Sequence, residues 1–584
     1  MSEELLTVVL YTKNDALKFL RDKPHVGRVY PLTPDARVEL IGNTDLPILD
    51  PLDYFNDYGH LRVVARVKRV ETILYPLIYN EKDLSDAAKE TFRSMFHMLA
   101  CEAFYIFYLI REVGPWLINY GNSWYRCDEL TVAHKMLFSE ISKGRWGLFS
   151  PPKIRTSLIQ GPYRFLNRII LGFLNGKQCI WITENNYGMP ELKKHLRKND
   201  PSVYLLILSP LKISKRFFYR YFMRMLKIIF KKEKEIGIMI LPSSVNPQIL
   251  GILNNALNEI RDSIFDDVKE VISPFLASTI GYTESLTAYT NYYFEKVTSI
   301  CYITDHLRWM EAAVCGEAAK KNNVRSILIA QGTNPYCTDA VSWYVYQALA
   351  HGLLVSSLAD ETVIQTPSSK VAAIKLMPGL KRRQFQPIMF GYKKIKKAKN
   401  KIRTIIHAGT YKPIAGRPWM YETSNEFVYG LQQLVMAINT LENTRMIIRI
   451  REASECSVSS LKKLLPITGN IELSTSGDLL DDLGCADLLI SFSSTTIDEA
   501  LYVRKPVGLF GGSMRYRYYP GSSIPPTVNE RHAVYHLQKE NLSTMLNAIL
   551  DAHKNNPLTD KELEGYVWPS SVPERQEFIE NILN

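Results

Sequence analysis

The feature that most constrains this sequence is the regular alternation of short apolar runs and helical segments in its last third. The apolar runs lie at 402–406, 446–450, 471–473 and 488–492, and segments with helical periodicity separate them. Short apolar strands that alternate with helices are typical of a doubly wound, mostly parallel sheet of the Rossmann type. No GxGxxG follows the first run, which argues against a dinucleotide site of the NAD type.

A second strand–helix–strand unit is predicted nearer the middle of the chain. Residues 299–304 form an apolar run, 305–324 have the pattern of an amphipathic helix, and 325–330 form another apolar run. A further buried strand is predicted at 177–184. A βαβ unit of this kind implies parallel strands joined by a right-handed crossover.

The length of the chain implies more than one domain, because 584 residues exceed what a single core accommodates. The lysine-rich run 392–403 is predicted to be a linker between two α/β regions. The predicted domains are therefore an N-terminal domain at 1–391 and a C-terminal domain at 404–584. Helical insertions into the first domain are expected at about 81–150 and 211–298.

Charge and cysteine usage limit the classes of partner. The net charge of +12 favours anionic partners, but no nucleic-acid-binding motif is recognisable, so nucleic acid is not predicted as a partner. The most basic helical pattern, at 212–234, could contact an anionic membrane surface or be an ordinary solvated helix. Eight scattered cysteines, no signal-peptide pattern and no long apolar run predict a cytoplasmic protein with reduced thiols and no zinc site.

Polar residues follow the apolar runs of the C-terminal domain, where parallel sheets bind ligands. A hydroxyl-rich turn follows run 488–492 and leads into a predicted helix at 497–503, an arrangement that favours a phosphate. Glu499, one turn into that helix, could accept hydrogen bonds from sugar hydroxyls. The predicted donor-binding residues are His407, Gly409, Arg449, Arg451, Ser493, Ser494, Thr495, Thr496 and Glu499.

Candidates for acid–base chemistry follow the strands of the first half. Asp305 and His306 come directly after run 299–304, and Glu184 ends run 177–184, so these three are the predicted catalytic residues. Helix capping and turn formation are the alternative roles for such residues. The residues predicted to bind the acceptor are Arg308, Gln331 and Gly332.

Three motifs carry a resemblance to a known family: IIHAG at 405–409, ADLLISFSSTTIDEAL at 486–501 and RKPVGLFG at 504–511. They resemble the donor domain of GT-B glycosyltransferases that build bacterial surface polysaccharides such as capsule, lipopolysaccharide and O-antigen. The last two are similar to a signature of capsule Kdo transferases, bacterial sialyltransferases, polyol-phosphate transferases and the UDP-GlcNAc 2-epimerase-like group. Segment 305–334 resembles the end of the N-terminal domain of surface-carbohydrate proteins, but Gln331-Gly332 lacks the preceding His.

The resemblance implies an α/β protein of GT-B fold, with two Rossmann-like domains facing a cleft. It implies transfer of a sugar from a nucleotide-activated donor to a surface glycan or lipid-linked acceptor, at the inner face of the plasma membrane. The donor would be a UDP-sugar or a CMP-ulosonic acid such as Kdo or a sialic-acid-like sugar. No DxD motif ends an apolar run, so neither a metal ion nor another cofactor is predicted.

One departure from the family pattern keeps two alternatives open. Many of these families carry Lys/Arg-Pro-His-Pro after the second donor-domain strand, whereas this chain has Arg-Ile-Arg-Glu at 449–452. The missing His-Pro weakens the assignment of a CMP-sugar. The alternatives are a CDP-polyol phosphotransferase of the same architecture and a non-catalytic glycan-assembly protein.

Overall fold

The structure is a computed structural model, and it describes the greater part of the chain. The described residues are 6–145, 156–183, 189–199, 202–210, 222–223, 226, 234–243, 248–330, 337, 339–390, 402–409, 411, 419–451 and 455–583.

The strands within these ranges form three sheets. The first sheet contains β1 (Thr7–Leu10), β2 (Arg28–Pro31), β3 (Trp116–Tyr120) and β4 (Ser123–Cys127). The second contains β5 (Cys179–Thr183), β6 (Tyr204–Pro210), β7 (Glu235–Ile240), β8 (Ser299–Thr304), β9 (Arg325–Ile329), β10 (Glu361–Ile364) and β11 (Lys381–Gln384). The third contains β12 (Arg403–Ala408), β13 (Thr444–Arg449), β14 (Ile471–Ser474), β15 (Leu488–Ser491), β16 (Val507–Leu509) and β17 (Val534–His536).

The helices occupy most of the segments between these strands. In the first half they are Lys13–Asp22, Pro34–Leu40, Pro51–Tyr54, Asp57–Asn80, Asp86–Ile110, Leu130–Arg145, Thr156–Leu174, Met189–Asn199, Gln248–Asn258 and Ser263–Lys296. In the second half they are Met310–Lys321, Ala340–Ala350, Pro367–Leu376, Ser424–Asn439, Val458–Leu464, Leu479–Cys485, Thr496–Tyr502, Leu542–Ala552 and Arg575–Leu583.

Both larger sheets are parallel and share one strand order. The third sheet runs β14-β13-β12-β15-β16-β17, which is 3-2-1-4-5-6 when counted from β12. The second sheet runs β11-β10-β9-β8-β5-β6-β7, the same order counted from β5 with one extra strand. This is the doubly wound order of nucleotide-binding folds, so the prediction of two Rossmann-like domains is confirmed.

The apolar runs form central strands because both faces of each sheet are buried. On β12, Ile406 packs into the core on one face while Ile405 packs into the core on the other. On the neighbouring β15, Leu489 and Ile490 divide in the same way. Continuous rather than alternating hydrophobicity is what a parallel sheet covered on both faces requires.

The carboxyl-terminal edges of the two larger sheets face each other across a cleft. The Ser368 hydroxyl, just after β10, lies 3.2 Å from the Tyr519 hydroxyl, downstream of β16. The Trp419 indole, after β12, donates a hydrogen bond of 3.0 Å to the hydroxyl of Ser342, which lies between β9 and β10. Both links join segments that follow carboxyl ends of strands, which is the GT-B arrangement of two Rossmann-like domains.

The first 145 residues contain the four-stranded sheet and helices that contact both Rossmann-like domains, and they share one hydrophobic core with helices Gln248–Asn258 and Ser263–Lys296. Their helix Asp86–Ile110 packs on helices Ser263–Lys296 and Met310–Lys321 of the first domain. Toward the second domain, Asn425 Nδ2 donates to the Leu32 carbonyl at 2.8 Å and the Ser457 amide donates to Asp35 at 2.7 Å. The first 145 residues therefore connect the two sides of the cleft.

Several elements differ from the sequence predictions. The helix expected from residue 305 begins at Met310, because the Leu307 amide instead donates to the Gly352 carbonyl at 2.6 Å. The sequence pattern predicts a helix at 535–552, but Tyr535 and His536 belong to β17, which pairs with β16, and the helix begins at Leu542. The last helix packs on the first domain, where Phe578 contacts Phe385.

Two of the predicted segments lie largely outside the described residues. Of the predicted linker, residues 392–401 are outside them and Arg403 is the first residue of β12. Most of the basic segment 212–234 is also outside them. In the expected insertion 211–298, the described residues form β7 and then helices Gln248–Asn258 and Ser263–Lys296. None of the helices in the described ranges combines the length and hydropathy needed to cross a bilayer.

Candidate functional site

The best-formed candidate site lies where β12 and β15 end side by side. A side chain at Gly409 would place its Cβ 3.2 Å from the Ser491 hydroxyl oxygen, so the two strand ends approach closely. Thr496 donates from its hydroxyl to the Ala408 carbonyl at 3.3 Å, which holds the hydroxyl-rich turn over the end of β12. The absence of a side chain at 409 leaves the backbone open to close approach by a ligand.

The hydroxyl-rich turn is held by its own backbone. The Thr496 amide donates to the Ser494 hydroxyl at 3.3 Å, and the Glu499 amide donates to the Thr495 carbonyl at 3.2 Å. Ser493 is half-buried and Thr495 is exposed, so solvent reaches both residues at the sheet edge. The turn therefore combines a fixed backbone with side chains that a ligand could reach.

Ser491 is a residue of this site that the sequence did not single out. It is fully buried, and its hydroxyl has no hydrogen-bond partner among the described residues. A buried hydroxyl without a partner is costly, so Ser491 is a candidate ligand-binding group beside Gly409, although solvent does not reach it in this structure. The sequence signal that could have revealed Ser491 is a single polar residue at the end of the apolar strand Leu488–Ser491.

Glu499 lies at the side of the turn, near helix Leu479–Cys485. Burial raises the pKa of its carboxyl to about 7, and the nearby Asp478 carboxylate raises it further in the same direction. A carboxyl poised near neutral pH can accept or donate hydrogen bonds to sugar hydroxyls. It is half-buried, which leaves it within reach of a ligand over the turn.

The two predicted donor-binding arginines, the last residue of β13 and a residue just after the strand, have different surroundings. Arg449 forms an ion pair with Asp482 and donates from Nη2 to the Gly477 carbonyl at 2.8 Å. Its guanidinium is therefore engaged within the protein. Arg451, two residues later, is exposed at the rim.

His407 lies inside the domain rather than at the turn. Its ring packs 5.8 Å from the Phe427 ring on helix Ser424–Asn439, and burial lowers the pKa of its imidazole to about 4. The ring is therefore neutral at physiological pH. The structure thus brings Gly409, Ser493–Thr496 and Glu499 together at one edge, while His407 packs against Phe427 and Arg449 pairs with Asp482.

Asp498 connects this edge to the opposite domain. It accepts hydrogen bonds from the hydroxyls of Tyr518 at 2.9 Å and Tyr519 at 2.6 Å, and Tyr519 in turn meets Ser368 of the first domain. Burial raises the pKa of Asp498 to about 8, although both tyrosine hydroxyls act in the opposite direction. The sequence did not reveal this role, because both tyrosines lie about 20 residues downstream.

The glycines of the RKPVGLFG motif and its neighbour serve close packing. A Cβ at Gly512 would overlap the carbonyl oxygen of Glu426 on helix Ser424–Asn439, and one at Gly511 would overlap Glu422. The Gly512 amide donates to the Glu422 carboxyl at 2.7 Å, and burial raises the pKa of that carboxyl to about 8. These glycines therefore set the position of the segment after β16.

Across the cleft, Asp305 and His306 form a buried pair after β8. His306 Nδ1 lies 2.8 Å from one Asp305 carboxylate oxygen, and both residues are buried. The other Asp305 oxygen has no partner among the described residues. Such a pair orients an imidazole so that Nε2 becomes the acceptor nitrogen of the neutral ring.

The other first-domain candidates are only partly described. Arg308 lies against the Trp309 ring, with its guanidinium carbon 5.0 Å from the ring centre, and next to Gly352. Glu184, Gln331 and Gly332 lie outside the described residues. Within the ranges that are described, no three His, Cys, Asp or Glu side chains are grouped to hold a metal ion.

The fold and its two strand-end sites define an α/β protein of GT-B type, with a glycine- and hydroxyl-lined edge in the C-terminal domain and a carboxylate–imidazole pair after β8 of the first domain. No family model and no curated protein matches the chain. Among solved structures, UDP-GlcNAc 2-epimerase of Methanocaldococcus jannaschii is similar at 11% identity and a TM-score of 0.39, covering 70% of this chain and 99% of that one. MnaA of S. aureus in complex with UDP has 13% identity and a TM-score of 0.37, covering 70% and 95%. HepE of Anabaena in complex with UDP-glucose has 10% identity and a TM-score of 0.36, covering 70% and 98%.

Proposed function

We propose that this protein is a glycosyltransferase that moves a sugar from a nucleotide-activated donor to a surface glycan or lipid-linked acceptor. The C-terminal domain would bind the donor at the edge formed by β12 and β15. The first domain would hold the acceptor and supply the base. The observation that carries the proposal is the unpartnered, buried Ser491 hydroxyl beside Gly409 and the hydroxyl-rich turn.

The donor edge suits the two ends of a nucleotide sugar. Gly409 and the hydroxyls of Ser493 and Thr495 offer donors and close backbone approach to phosphate oxygens without a cation. Glu499 offers acceptor oxygens for adjacent sugar hydroxyls. Arg451, which is exposed just after β13, is the proposed cation for the departing phosphate.

The catalytic step needs a base on the opposite side of the cleft. In the proposed reaction His306 Nε2 takes the proton of an acceptor hydroxyl, whose oxygen attacks the anomeric carbon of the donor sugar. The bond from that carbon to the phosphate oxygen breaks, and the electron pair leaves with the nucleotide. Asp305, which accepts from Nδ1 of the same ring, stabilises the imidazolium that forms. No metal ion or other cofactor has a part in this step.

The first experiment identifies the nucleotide by thermal shift with CMP, CDP, UDP, GDP and dTDP. One nucleotide at about 100 times its Kd should stabilise the protein by about 2.7 kcal/mol. Ser491→Ala should leave the free protein as stable as the wild type but weaken this shift, because the hydroxyl has no partner to lose. Ser474→Ala, at the end of β14, is the matched control and should respond like the wild type. Absence of a shift with every nucleotide would refute the donor site.

The second experiment separates transfer from binding. Asp305→Asn and His306→Asn should keep the nucleotide-induced shift and lose transfer to an acceptor. Transfer at the wild-type rate in both variants would remove the pair from the mechanism. Nucleotide binding without turnover of any sugar donor would instead favour a non-catalytic role, and a response to CDP alone would favour a CDP-polyol donor.

A further inference from the structure

Three helices form one continuous outer surface beside the cleft. They are Asp57–Asn80, Ala340–Ala350 and Pro367–Leu376. Lys68 of the first lies 5.6 Å from the Tyr344 ring of the second, and Lys375 of the third lies 3.8 Å from the Trp343 ring of the second. We refer to the outward side of these helices as the three-helix face.

Cations dominate the charge of the three-helix face. Helix Ala340–Ala350 has no charged residue, and the charged residues of helix Pro367–Leu376 are both lysines. The outward charged residues of the first helix are Arg62, Lys68 and Arg69.

The carboxylates in or beside these helices have partners within the protein. Glu71 is buried with His97 at 2.8 Å, and Asp57 at the far end of its helix pairs with Arg515 at 3.1 Å. Asp262 is almost fully buried and pairs with Arg66 at 2.5 Å and with the exposed Arg69 at 3.9 Å. Asp339 caps helix Ala340–Ala350. The three-helix face therefore has a net positive charge.

Large apolar side chains are exposed between these cations. Tyr58 is 68% exposed, and Leu61, also exposed, follows it by one turn of the helix, while exposed Ile73 and Leu77 lie further around the same helix. Val371 and Ile374 are 61% and 45% exposed on helix Pro367–Leu376. Single exposed apolar residues are ordinary, but a group of them among cations marks an interaction surface.

We propose that the three-helix face docks on an anionic lipid bilayer. Cations attract the anionic headgroups, and the exposed aliphatic and aromatic side chains enter the headgroup region, which is how a surface-bound amphipathic helix associates. The phosphates of a nucleic acid would contact the cations, but the aliphatic side chains would remain exposed to solvent. None of the residues named for this face belongs to the basic segment 212–234, for which the sequence left open membrane contact or an ordinary solvated helix.

The position of this face gives docking a purpose. Helix Ala340–Ala350 lies between β9 and β10, and Ser342 on it accepts from Trp419 across the cleft. A bilayer on the three-helix face would therefore lie beside the cleft, where a lipid-linked acceptor could reach it. This purpose rests on the proposed function, whereas binding to the bilayer can be measured without it.

The test is co-sedimentation of the full chain with vesicles of phosphatidylcholine alone or with about one-third phosphatidylglycerol. The wild type should bind the anionic vesicles more tightly. Lys68→Glu/Lys375→Glu should weaken binding at least tenfold, since each cation near an anionic surface contributes about a fivefold gain. Lys554→Glu/Lys561→Glu changes two exposed lysines of the C-terminal domain by the same charge and should bind like the wild type.

A second pair of variants tests the apolar contribution. Val371→Ser/Ile374→Ser should also weaken binding, whereas Ile524→Ser/Val528→Ser, which removes side chains that are 75% and 64% exposed elsewhere, should not. The thermal shift with nucleotide should be the same in all four variants, so a failed donor site and a failed lipid surface are distinguishable. Weak wild-type binding to anionic vesicles, or equal binding by all variants, would overturn the proposal. Displacement of the vesicles by single-stranded DNA, with the apolar pair unaffected, would assign the face to nucleic acid instead.

Discussion

Replacement of Asp498 by Asn should change how the stability of the protein depends on pH. Asp498 is buried and hydrogen-bonded to Tyr518 and Tyr519, and burial raises its pKa from 3.8 to about 8. In the folded protein the group therefore keeps its proton at pH values where the unfolded chain has already lost it. Its contribution to stability is fully present below pH 3.8 and is lost as the pH rises toward 8.

The size of this pH effect follows from the pH range between the pKa of Asp498 in the unfolded chain and its pKa in the folded protein. Between pH 5 and pH 7 the folded state holds one more proton than the unfolded state at this site. The free energy of unfolding of the wild type should therefore fall by about 2.7 kcal/mol over these two pH units on account of Asp498. Asn cannot titrate, and its amide can still pair with one tyrosine as donor and the other as acceptor.

The measurement is equilibrium urea unfolding of wild type and Asp498→Asn in parallel at pH 5, 6 and 7. The stability advantage of the wild type over the variant should shrink steadily across the series, while other titrating groups cancel in the difference. A constant difference would mean that Asp498 holds no extra proton when folded. A difference that grows with pH would mean that the folded protein favours the carboxylate, and the reasoning from burial would then be refuted.

Three further outcomes are expected. The stabilisation of the wild type by the nucleotide found in the thermal-shift experiment should increase as the pH rises through about 7, where Glu499 ionises. In the same assay, the stabilisation of Glu499→Gln should not change with pH in this way. Gly512→Ala should lower the free energy of unfolding by about 3 kcal/mol, because the new Cβ overlaps a carbonyl of the neighbouring helix. Gly469→Ala is the control: its Cβ meets open space, so its free energy of unfolding should stay within about 0.5 kcal/mol of the wild type. Arg515→Met should destabilise by about 3–5 kcal/mol, since it leaves the buried Glu426 carboxylate without its bidentate partner; unfolding near the wild-type midpoint would contradict that role.

The strand–turn–helix pattern predicted the position of the hydroxyl-rich turn at the sheet edge well, and for a physical reason. Runs of apolar residues can only be central parallel strands if both faces are covered, and polar residues that follow them must then lie at the carboxyl edge. The predicted strand at 488–492 and helix at 497–503 correspond to β15 and helix Thr496–Tyr502. Gly409 and the hydroxyl-rich turn therefore lie together as expected.

Partners distant in sequence could not be predicted in the same way. Arg449 is paired with Asp482, 33 residues further along the chain, so its availability to a ligand depended on the path of another helix. Asp305 and His306 lie before their helix because Leu307 is held by Gly352. The burial of Asp498 beside Tyr519 depends on a segment that follows the next strand.

By itself, the sequence determined that the C-terminal Rossmann-like sheet forms and which polar residues stand at its carboxyl ends, because hydrophobic period and strand length are local properties. Only the tertiary structure decided that the first 145 residues connect both domains and which charges are already paired. It also decided that cations and apolar side chains from three helices meet on one outer face. These outcomes depend on contacts between segments that are hundreds of residues apart, such as the contact between Asp57 and Arg515. A local sequence pattern cannot predict such contacts.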